Sequence, residues 1–389
     1  MPSKRHATVW PAKDHTKAKI AILEDYLIRW FQILGSTKAG QDLVYVDGFA
    51  GPGEYTNYSK GSPVAALVAA CKALASTAIT WRAGDLHCVF IEADPKRFSH
   101  LDERLGPFKN ITPFKNSQKL KIQTLNATFS EGVSQLKMQL PKSFNGPHPL
   151  LVFIDPFGAK GVGFSNVVEI LDTPCSEVLF NLDADGIDRI YRDLNSPKHL
   201  SLMDEIFGEG LWQGKLSSTA TPSQRYRQVL DLYVHNLRLK TNVKYAFPFE
   251  MRKSDDKLDY FLVFLSHHPL GLRKMKEVMK RIDQTGDYHF SDAGVGQMKM
   301  FRFDNPEDYA PKLFQAFAGQ KVGYSEVDDF ALNETPFIEP KGMLTVLEKE
   351  NRISVESSSG KRRRFTFNPD KIKSITFTEG DQQWLQFHL

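Results

Sequence analysis

The stretch LLVFIDPFGAKG, residues 150–161, ends an apolar run with three residues whose chemistry can serve one reaction. The carboxylate of Asp155 and the carbonyl of Pro156 are hydrogen-bond acceptors, and together they can bind both N–H groups of an exocyclic amine. Binding them turns the nitrogen lone pair out of a conjugated ring and toward an electrophile. Phe157 can stack on a base that has left its helix. We therefore predict these three residues as catalytic, and a strand that ends in an idle turn is the alternative.

A second stretch with chemistry is VDGFAGPG, residues 46–53, where an acid and three glycines follow another apolar run. Glycines let the backbone approach a ligand closely, and such a loop between a strand and a helix is typical of a cofactor site. The alternative is a tight turn that binds nothing. The predicted cofactor-binding residues of this loop are Asp47, Gly48, Phe49, Ala50, Gly51 and Gly53.

The spacing around this loop separates two classes of cofactor. A dinucleotide fingerprint enters its helix directly after the glycines and has an acid about 20 residues further on. Here eight residues separate Gly53 from the helix start at Ser62, and the next strand-end acid, Glu92, lies 45 residues after Asp47. This spacing favours S-adenosylmethionine (SAM), which has no pyrophosphate to place on the helix N-terminus.

The polar groups of SAM indicate which other side chains would contact it. Its ribose hydroxyls need an acceptor such as Glu92, and its adenine edge needs a side-chain amide such as Asn126. A solvated strand-end carboxylate and a turn residue are the alternatives for these two positions. The cofactor-binding residues predicted outside the glycine loop are Glu92, Ala93, Asn126 and Asp155.

Alternating strands and helices must position these residues. An amphipathic helix is predicted over 16–34, and apolar runs that begin at residues 43, 87, 121, 150 and 176 predict five strands. Near-continuous apolar strands separated by helices are typical of a parallel sheet that is covered on both faces. The predicted fold class is α/β, with a doubly wound, mostly parallel sheet.

Three further segments complete the predicted organisation. Residues 184–240 are polar and helix-biased, which predicts a helical insertion. The runs 244–251 and 258–268 predict a hairpin that adds antiparallel strands to the sheet. The turn-rich stretch 283–297 predicts a linker. We therefore expect a large domain over residues 1–300 and a second domain over residues 301–389.

The second domain has the outline of a winged-helix module. Three helical patterns precede two apolar runs, RISVES and FTFNP, which predict a hairpin with a basic tip. From residue 341 on, nine Lys or Arg stand against six Asp or Glu. The tip can contact phosphates, and a solvated turn that discourages edge pairing is the alternative. The predicted nucleic-acid-binding residues are Lys361, Arg362, Arg363 and Arg364.

Both chemical stretches resemble known motifs. DGFAGPG resembles the FxGxG motif of class I SAM-dependent methyltransferases. DPFG resembles their amino-methyltransferase tetrad, an Asp, Asn or Ser before two prolines and a Tyr or Phe, except that the aromatic comes one position early and glycine follows it. Over most of the chain, HTKAKIAILEDYL, FIEADPKR, VLFNLDADGIDR and DYFLVFLSHHPLGLRKMKEVM resemble the three-Cys-motif partner protein (TcmP) family. The resemblance implies a Rossmann-like class I methyltransferase fold and a companion three-Cys-motif protein.

Composition narrows the class of protein further. With 25% charged and 41% hydrophobic residues, the chain is typical of a globular protein. It has neither a long apolar stretch nor an apolar leader, so we expect a cytoplasmic protein that does not contact a membrane. Three separated cysteines, Cys71, Cys88 and Cys175, predict no disulfide and no metal site. A net charge of +4 permits a nucleic-acid partner without requiring one.

These patterns together lead to one functional hypothesis and its alternatives. The hypothesis is a SAM-dependent methyltransferase that transfers a methyl group to an exocyclic amine, with adenine in DNA or RNA as the target. Methylation of a protein or a small molecule is an alternative within the same enzyme class. The alternative from a different class is a SAM-binding, catalytically silent or protein-modifying partner subunit of a three-Cys-motif protein.

Overall fold

The structure, a computed structural model, describes residues 8–110, 112–283, 285–294, 304–358, 360 and 362–379. The chain divides into two compact units. The first holds the described residues up to Val278 and then 289–294, and the second holds 279–288 and the described residues from 304 on. The domain boundary expected between residues 300 and 301 lies outside the described residues.

Strands of the first unit form one eight-stranded sheet in the described part of the chain. The strands are β1 Leu43–Asp47, β2 Leu86–Ile91, β3 Leu120–Leu125, β4 Leu150–Ile154, β5 Ser176–Leu182, β6 Tyr245–Arg252, β7 Leu258–Ser266 and β8 His289–Ser291. β1, β4 and β5 are buried along their whole length, because helices cover both faces of the sheet. β3 lies at the sheet edge and is only partly buried.

Helices pack on the two faces of this sheet. They are α1 Asp14–Thr37, α2 Ser62–Ala75, α3 Pro95–Lys109, α4 Phe129–Gln139, α5 Pro141–Phe144, α6 Phe164–Leu171, α7 Ala184–Tyr191, α8 Pro197–Phe207, α9 Pro222–Lys240 and α10 Pro269–Ile282. α1 packs with α2, and its Tyr26 contacts Phe264 of β7. α4 and α6 to α9 share a separate hydrophobic core with strand residues such as Val46 and Val152. No described helix is long and apolar enough to cross a membrane.

The strand order explains where ligands can bind. The order is β3-β2-β1-β4-β5-β7-β6-β8, with β1 to β5 parallel and β7 antiparallel to both β5 and β6. The order reverses between β1 and β4, and ligands of open α/β sheets bind at the carboxyl ends of strands at such a switch point. This mostly parallel sheet with flanking helices is the Rossmann-like methyltransferase fold, and the predicted hairpin and helical insertion are both present.

The stretch 283–297, which the sequence predicts as a linker, contributes its residues 289–294 to the first unit. Its residues 289–291 form β8, which pairs in parallel with β6. Asp292 accepts hydrogen bonds from the backbone N–H of His15 at 2.7 Å and from its ring Nδ1 at 2.8 Å. The linker prediction is wrong here, because a strand of three residues has no periodicity that a sequence pattern can indicate.

Beyond residue 304, the second unit alternates helices and short strands. The elements are α11 Pro306–Phe317, β9 Lys321–Val322, α12 Tyr324–Glu334, α13 Lys341–Lys349, β10 Ile353–Ser357 and β11 Ile372–Phe377. An antiparallel sheet of order β10-β11-β9 and the three helices share a core that includes Phe314 and Ile375. The prediction of FTFNP as the second hairpin strand is wrong, because β10 pairs with β11 and residues 362–371 form the connection.

A buried polar contact joins α1 to the sheet of the first unit. Glu177 of β5 is buried and accepts hydrogen bonds from the hydroxyls of Tyr26 at 2.5 Å and Ser266 at 2.9 Å. Burial raises the pKa of Glu177. Because the two donors come from α1 and β7, this carboxyl connects the helix layer to neighbouring strands.

Tyr26→Phe removes one of these donors and leaves a buried acceptor atom unpaired. We expect the free energy of unfolding to fall by about 1–3 kcal/mol, as measured by urea denaturation followed by circular dichroism. Tyr58→Phe is the matched control, since Tyr58 is only partly buried. An equal loss in both variants would show that the hydrogen bond to Glu177 contributes nothing of its own.

Candidate active site

A cavity of about 450 Å³ opens at the carboxyl ends of β1 and β4. Its wall includes residues 49–55 after β1, residues 155–158 after β4, and Asn181 at the end of β5. α1 contributes Thr16 and Lys19. The strand order explains this assembly, because the carboxyl ends of neighbouring parallel strands meet at one edge of the sheet.

The glycine loop after β1 is held in place by Glu92. The N–H of Gly51 donates to Glu92 Oε2 at 2.9 Å, and the N–H of Asp94 donates to Oε1 at 2.8 Å. Gly51 and Gly53 have φ values of +60° and +82°, in the left-handed region that favours glycine. The N–H of Gly61 closes the loop on the Gly53 carbonyl at 2.8 Å. The backbone of the loop is therefore fixed along its length.

Asp47, at the end of β1, is fully buried below this loop. Burial raises the pKa of Asp47 to about 7, against hydrogen bonds from the Ser62 hydroxyl and the Phe49 N–H, and the nearby carboxylates of Asp155 and Glu92 add to the rise. In the described part of the chain, its Oδ2 atom is buried without a hydrogen-bond donor. Asp47 thus carries an acceptor that the described protein groups leave unused.

Asp155 is paired with a lysine that the sequence pattern did not predict as a site residue. The Lys19 ammonium lies 2.6 Å from Oδ1 and 2.5 Å from Oδ2 of Asp155, and the Asn181 amide donates to Oδ1 at 2.6 Å. Lys19 is 6% exposed, and its ammonium lies 5.1 Å from the centre of the Tyr260 ring. The pair places a carboxylate and an ammonium side by side on the cavity wall.

Other charged side chains also line the cavity. The Lys253 ammonium lies 3.5 Å from Asp185 and 3.2 Å from Asp259. Burial raises the pKa of Asp183, whose side chain accepts a hydrogen bond from the Gly186 N–H at 2.8 Å. Among the residues that the structure describes, no group of three or more His, Cys, Asp or Glu side chains is arranged to hold a metal ion.

An aromatic corner, formed by Trp10, Arg97 and Phe157, stands where the cavity meets a larger cleft. Phe157 is 64% exposed, and its ring centre lies 5.0 Å from that of Trp10 in an edge-to-face arrangement. The Arg97 guanidinium lies 5.0 Å from the Phe157 ring centre and 5.1 Å from that of Trp10. Pro156, directly before Phe157, is buried. The corner therefore presents an exposed ring beside a buried strand end.

The predicted cofactor-binding residues fall into two groups. Those on the cavity wall are Phe49, Ala50, Gly51, Gly53 and Asp155. The residues of the other group do not line the cavity. Asp47 and Gly48 are buried at the start of the loop, and Glu92 accepts a hydrogen bond from it. Ala93 and Asn126 are exposed. The Asn126 amide donates to the carbonyls of Glu92 at 2.9 Å and Ala93 at 3.2 Å, so it fixes the turn after β2.

Some residues of the site were not predicted from the sequence, and they differ in whether the local sequence pattern indicated them. Lys19 lies on the buried face of α1, three residues before Ile22 and four before Leu23. A lysine among apolar residues at helical spacing indicates a buried charge with a partner. Trp10 and Arg97 gave no such signal, because neither belongs to a periodic apolar pattern. Asn181 follows the apolar residues 178–180 near the end of β5, as Asp47 follows those of β1, and could have been found by the same criterion.

In the basic tip of the second unit, two of the predicted cations are engaged within the protein. Arg362 forms a salt bridge with the buried acid Glu348, and Arg364 donates to the Glu348 carbonyl at 3.1 Å. Arg363 is exposed. Lys361 lies outside the described residues. Nucleic-acid binding by these four residues stays a prediction.

No family model matches the chain, and no curated protein matches its sequence. Among solved structures, Trm1 from Pyrococcus horikoshii with S-adenosyl-L-methionine is similar at 10% identity and a TM-score of 0.37, over 100% of this chain and 96% of that one. The O-methyltransferase TomG from Streptomyces achromogenes in complex with SAM has 13% identity and a TM-score of 0.33, over 62% and 79%. Protein LPL1258 from Legionella pneumophila has 13% identity and a TM-score of 0.36, over 69% and 91%. The fold assignment depends on the strand order, and membership of the TcmP family stays a prediction.

Asp47 gives the free protein a defined pH dependence. Its pKa of about 7 in the folded chain lies above the ordinary value of 3.8, so its contribution to stability is complete at low pH and is lost as the pH rises through 7. Asp47→Asn cannot ionise, and we expect it to exceed the wild type in stability by roughly 4 kcal/mol at pH 8 and by little at pH 4. Urea denaturation at both pH values measures the difference. An identical difference at the two values would contradict the ionisation of a buried Asp47.

Proposed function

We propose that the protein is a SAM-dependent methyltransferase that acts on an exocyclic amine, with adenine in DNA or RNA as its target. The observation that carries the proposal is the position of Asp155 and Pro156, which follow β4 on the wall of the cavity that the glycine loop also lines. Acceptors for an amine therefore lie next to a backbone loop of the kind that admits a cofactor closely.

The cavity suits this cofactor in size and in charge. Its volume of about 450 Å³ lies within the range of small-molecule sites. Among the described residues, five carboxylates and four cations lie on its wall, and this small excess of acids is compatible with a ligand that carries a sulfonium and an ammonium. Asp47 Oδ2 adds an unused acceptor below the loop. When bound, SAM would supply an electrophilic methyl group.

The Asp155 carboxylate has one hydrogen-bond acceptor position left for a substrate. Oδ1 accepts from both Lys19 and Asn181, which fills its two lone pairs, whereas Oδ2 accepts from Lys19 alone among the described residues. The remaining lone pair of Oδ2 can accept one amine N–H, and the Pro156 carbonyl can accept the other. Lys19 and Asn181 fix the carboxylate in place, so that the nitrogen lone pair can be turned toward the methyl group.

Phe157 supports a base as the substrate. Its ring is 64% exposed and borders the same cavity, so a base that has left its stack can lie against it while its amine reaches Asp155. The glycine at 158 has a φ of +81° and carries no side chain that would block this approach. The early aromatic of the DPFG tetrad is thus compatible with stacking.

One contact favours a catalytically silent form of this site. The Lys19 ammonium binds both oxygens of Asp155, so a substrate amine must share the carboxylate with the lysine. In that case the chain would be a SAM-binding, silent or protein-modifying partner subunit of a three-Cys-motif protein. Incubation with labelled SAM separates these functions: label in DNA or RNA supports the amine proposal, label in protein alone supports the protein-modifying partner, and binding without transfer supports the silent one.

Asp155→Ala tests the catalytic assignment. We expect methyl transfer from labelled SAM to nucleic acid to fall roughly 100-fold or more, because the amine loses an acceptor, while calorimetry shows that SAM still binds, though more weakly, because Asp155 is also a predicted cofactor contact. Asp370→Ala, which removes an exposed acid of the second unit, is the matched control and should keep full activity. Unchanged transfer by the Asp155 variant would overturn the role of this carboxylate.

Glu92→Ala tests the cofactor site separately from the chemistry. The variant removes the acceptor that holds the Gly51 N–H, so we expect SAM to bind roughly 10-fold more weakly in calorimetry. Glu103→Ala, at an exposed position of α3, controls for the loss of a carboxylate. Failure of the wild type to bind SAM, or equal affinities in wild type and Glu92→Ala, would remove the cofactor assignment.

A further inference from the structure

We propose that a cleft beside the aromatic corner of the first unit binds a single-stranded nucleic acid; this inference rests on the proposed function and names the form of its substrate. The cleft has a volume of about 900 Å³ and shares Trp10, Phe157 and Asp183 with the wall of the smaller cavity. A nucleotide held in the cleft can therefore extend its base past Phe157 toward Asp155.

The aromatic corner is a stacking platform. Trp10 and Phe157 meet edge to face, and Arg97 lies about equally far from both rings, at 5.1 Å and 5.0 Å from their centres. The guanidinium and the rings hold one another, yet Phe157 keeps 64% of its surface exposed. Exposed rings of this kind stack on bases of any sequence, because every base has a π face.

Basic side chains surround the platform. Within the described residues the cleft is bordered by four cations, by His199 and by one acid, Asp183; the cations are Lys13, Arg97, Lys160 and Arg189. Lys13 and Lys160 are exposed, and neither forms a salt bridge within the described residues. The Arg189 side chain is 64% exposed, although it lies 3.7 Å from Asp185. These cations can contact the phosphates on either side of a stacked base.

The combination of exposed aromatic rings with surrounding cations favours a single-stranded nucleic acid over other polyanions. A base inside a duplex is stacked on its neighbours and cannot reach Phe157 without leaving the helix, whereas an unpaired base can. An acidic peptide would use the cations but has no planar rings for the aromatic corner. Interleaved rings and cations are the arrangement that proteins use for single strands.

The basic tip of the second unit offers less to a polyanion. Arg362 is committed to the buried carboxylate of Glu348, and Arg364 to the Glu348 backbone carbonyl. The cleft cations Lys13 and Lys160 have no such engagement within the described residues. We therefore assign the principal nucleic-acid contact to the cleft of the first unit.

Fluorescence anisotropy with the full chain, in the absence of SAM, tests this assignment. The probes are labelled DNA and RNA single strands of about 12 nucleotides, the corresponding duplexes, and a polyglutamate peptide of equal charge. We expect the single strands to bind more tightly than the duplexes and the peptide to bind weakly. Comparison of the DNA and RNA strands identifies which of the two the cleft prefers.

Variants separate the phosphate contacts from the stacking contacts. Lys13→Gln with Lys160→Gln should weaken single-strand binding roughly 10-fold and lower the slope of log K against log salt by about 1.4, or 0.7 for each lost contact. Trp10→Ala should weaken binding roughly 10-fold and leave that slope unchanged. Lys142→Gln with Lys215→Gln makes the same change of charge at exposed positions that do not border the cleft, and should bind as the wild type does.

The inference is overturned if single strands do not bind, or if the cleft double variant and the control double variant lose affinity equally. It is also overturned if Arg363→Gln abolishes binding while the cleft variants retain it. Polyglutamate binding with the same dependence on Lys13 and Lys160 would instead identify an acidic peptide as the ligand and overturn it too. Because the assay needs no SAM, single-strand binding without methyl transfer would support the cleft while refuting the proposed activity. Methylation of duplexes alone would support the proposed activity and refute single-strand binding by the cleft.

Discussion

The ion pair between Lys19 and Asp155 joins the helix that precedes the sheet to the strand at the sheet's switch point. The two side chains are 7% and 20% exposed, so each largely buried charge depends on the other for its partner. Thr16, one helical turn before Lys19 on α1, also lines the cavity. Fixing the lysine therefore also fixes this part of the wall, and cavity and helix are positioned by the same contact.

Three acids, Asp47, Glu92 and Asp155, lie at this edge of the sheet, and the surroundings that stabilise each carboxyl group differ. Asp47 is buried and has no cationic partner in the described part of the chain, and burial raises its pKa to about 7. Glu92 accepts backbone N–H groups from its own turn and from the glycine loop. Asp155 is matched by an ammonium. Acids that would repel one another if all were ionised and unpaired are thus tolerated together, in a region suited to a cationic ligand.

Sequence reasoning found the features that repeat with a period and missed those that depend on distant contacts. The apolar runs predicted β1 to β5, and the loops after β1 and β4 meet because parallel strands align their carboxyl ends. Lys19 and Asp155 are 136 residues apart in the chain, and no local pattern links them. The motif around Glu92 indicated a ribose acceptor, whereas the structure turns its oxygens toward backbone N–H groups. β8 was missed because a strand of three residues carries little periodic signal. β11 was missed because the apolar run FTFNP lies nearer to β10 in the chain and predicts its partner strand instead.

The chain passes between its two units more than once. It leaves the first unit after Val278, returns at His289 and leaves again beyond residue 294. Each unit is consequently assembled from two separate pieces of sequence, and neither could be transplanted into another protein as one contiguous segment. A single backbone break beyond residue 294 would leave residues 279–288 of the second unit covalently attached to the first. The two pieces of the second unit would then be held together by that unit's own packing alone.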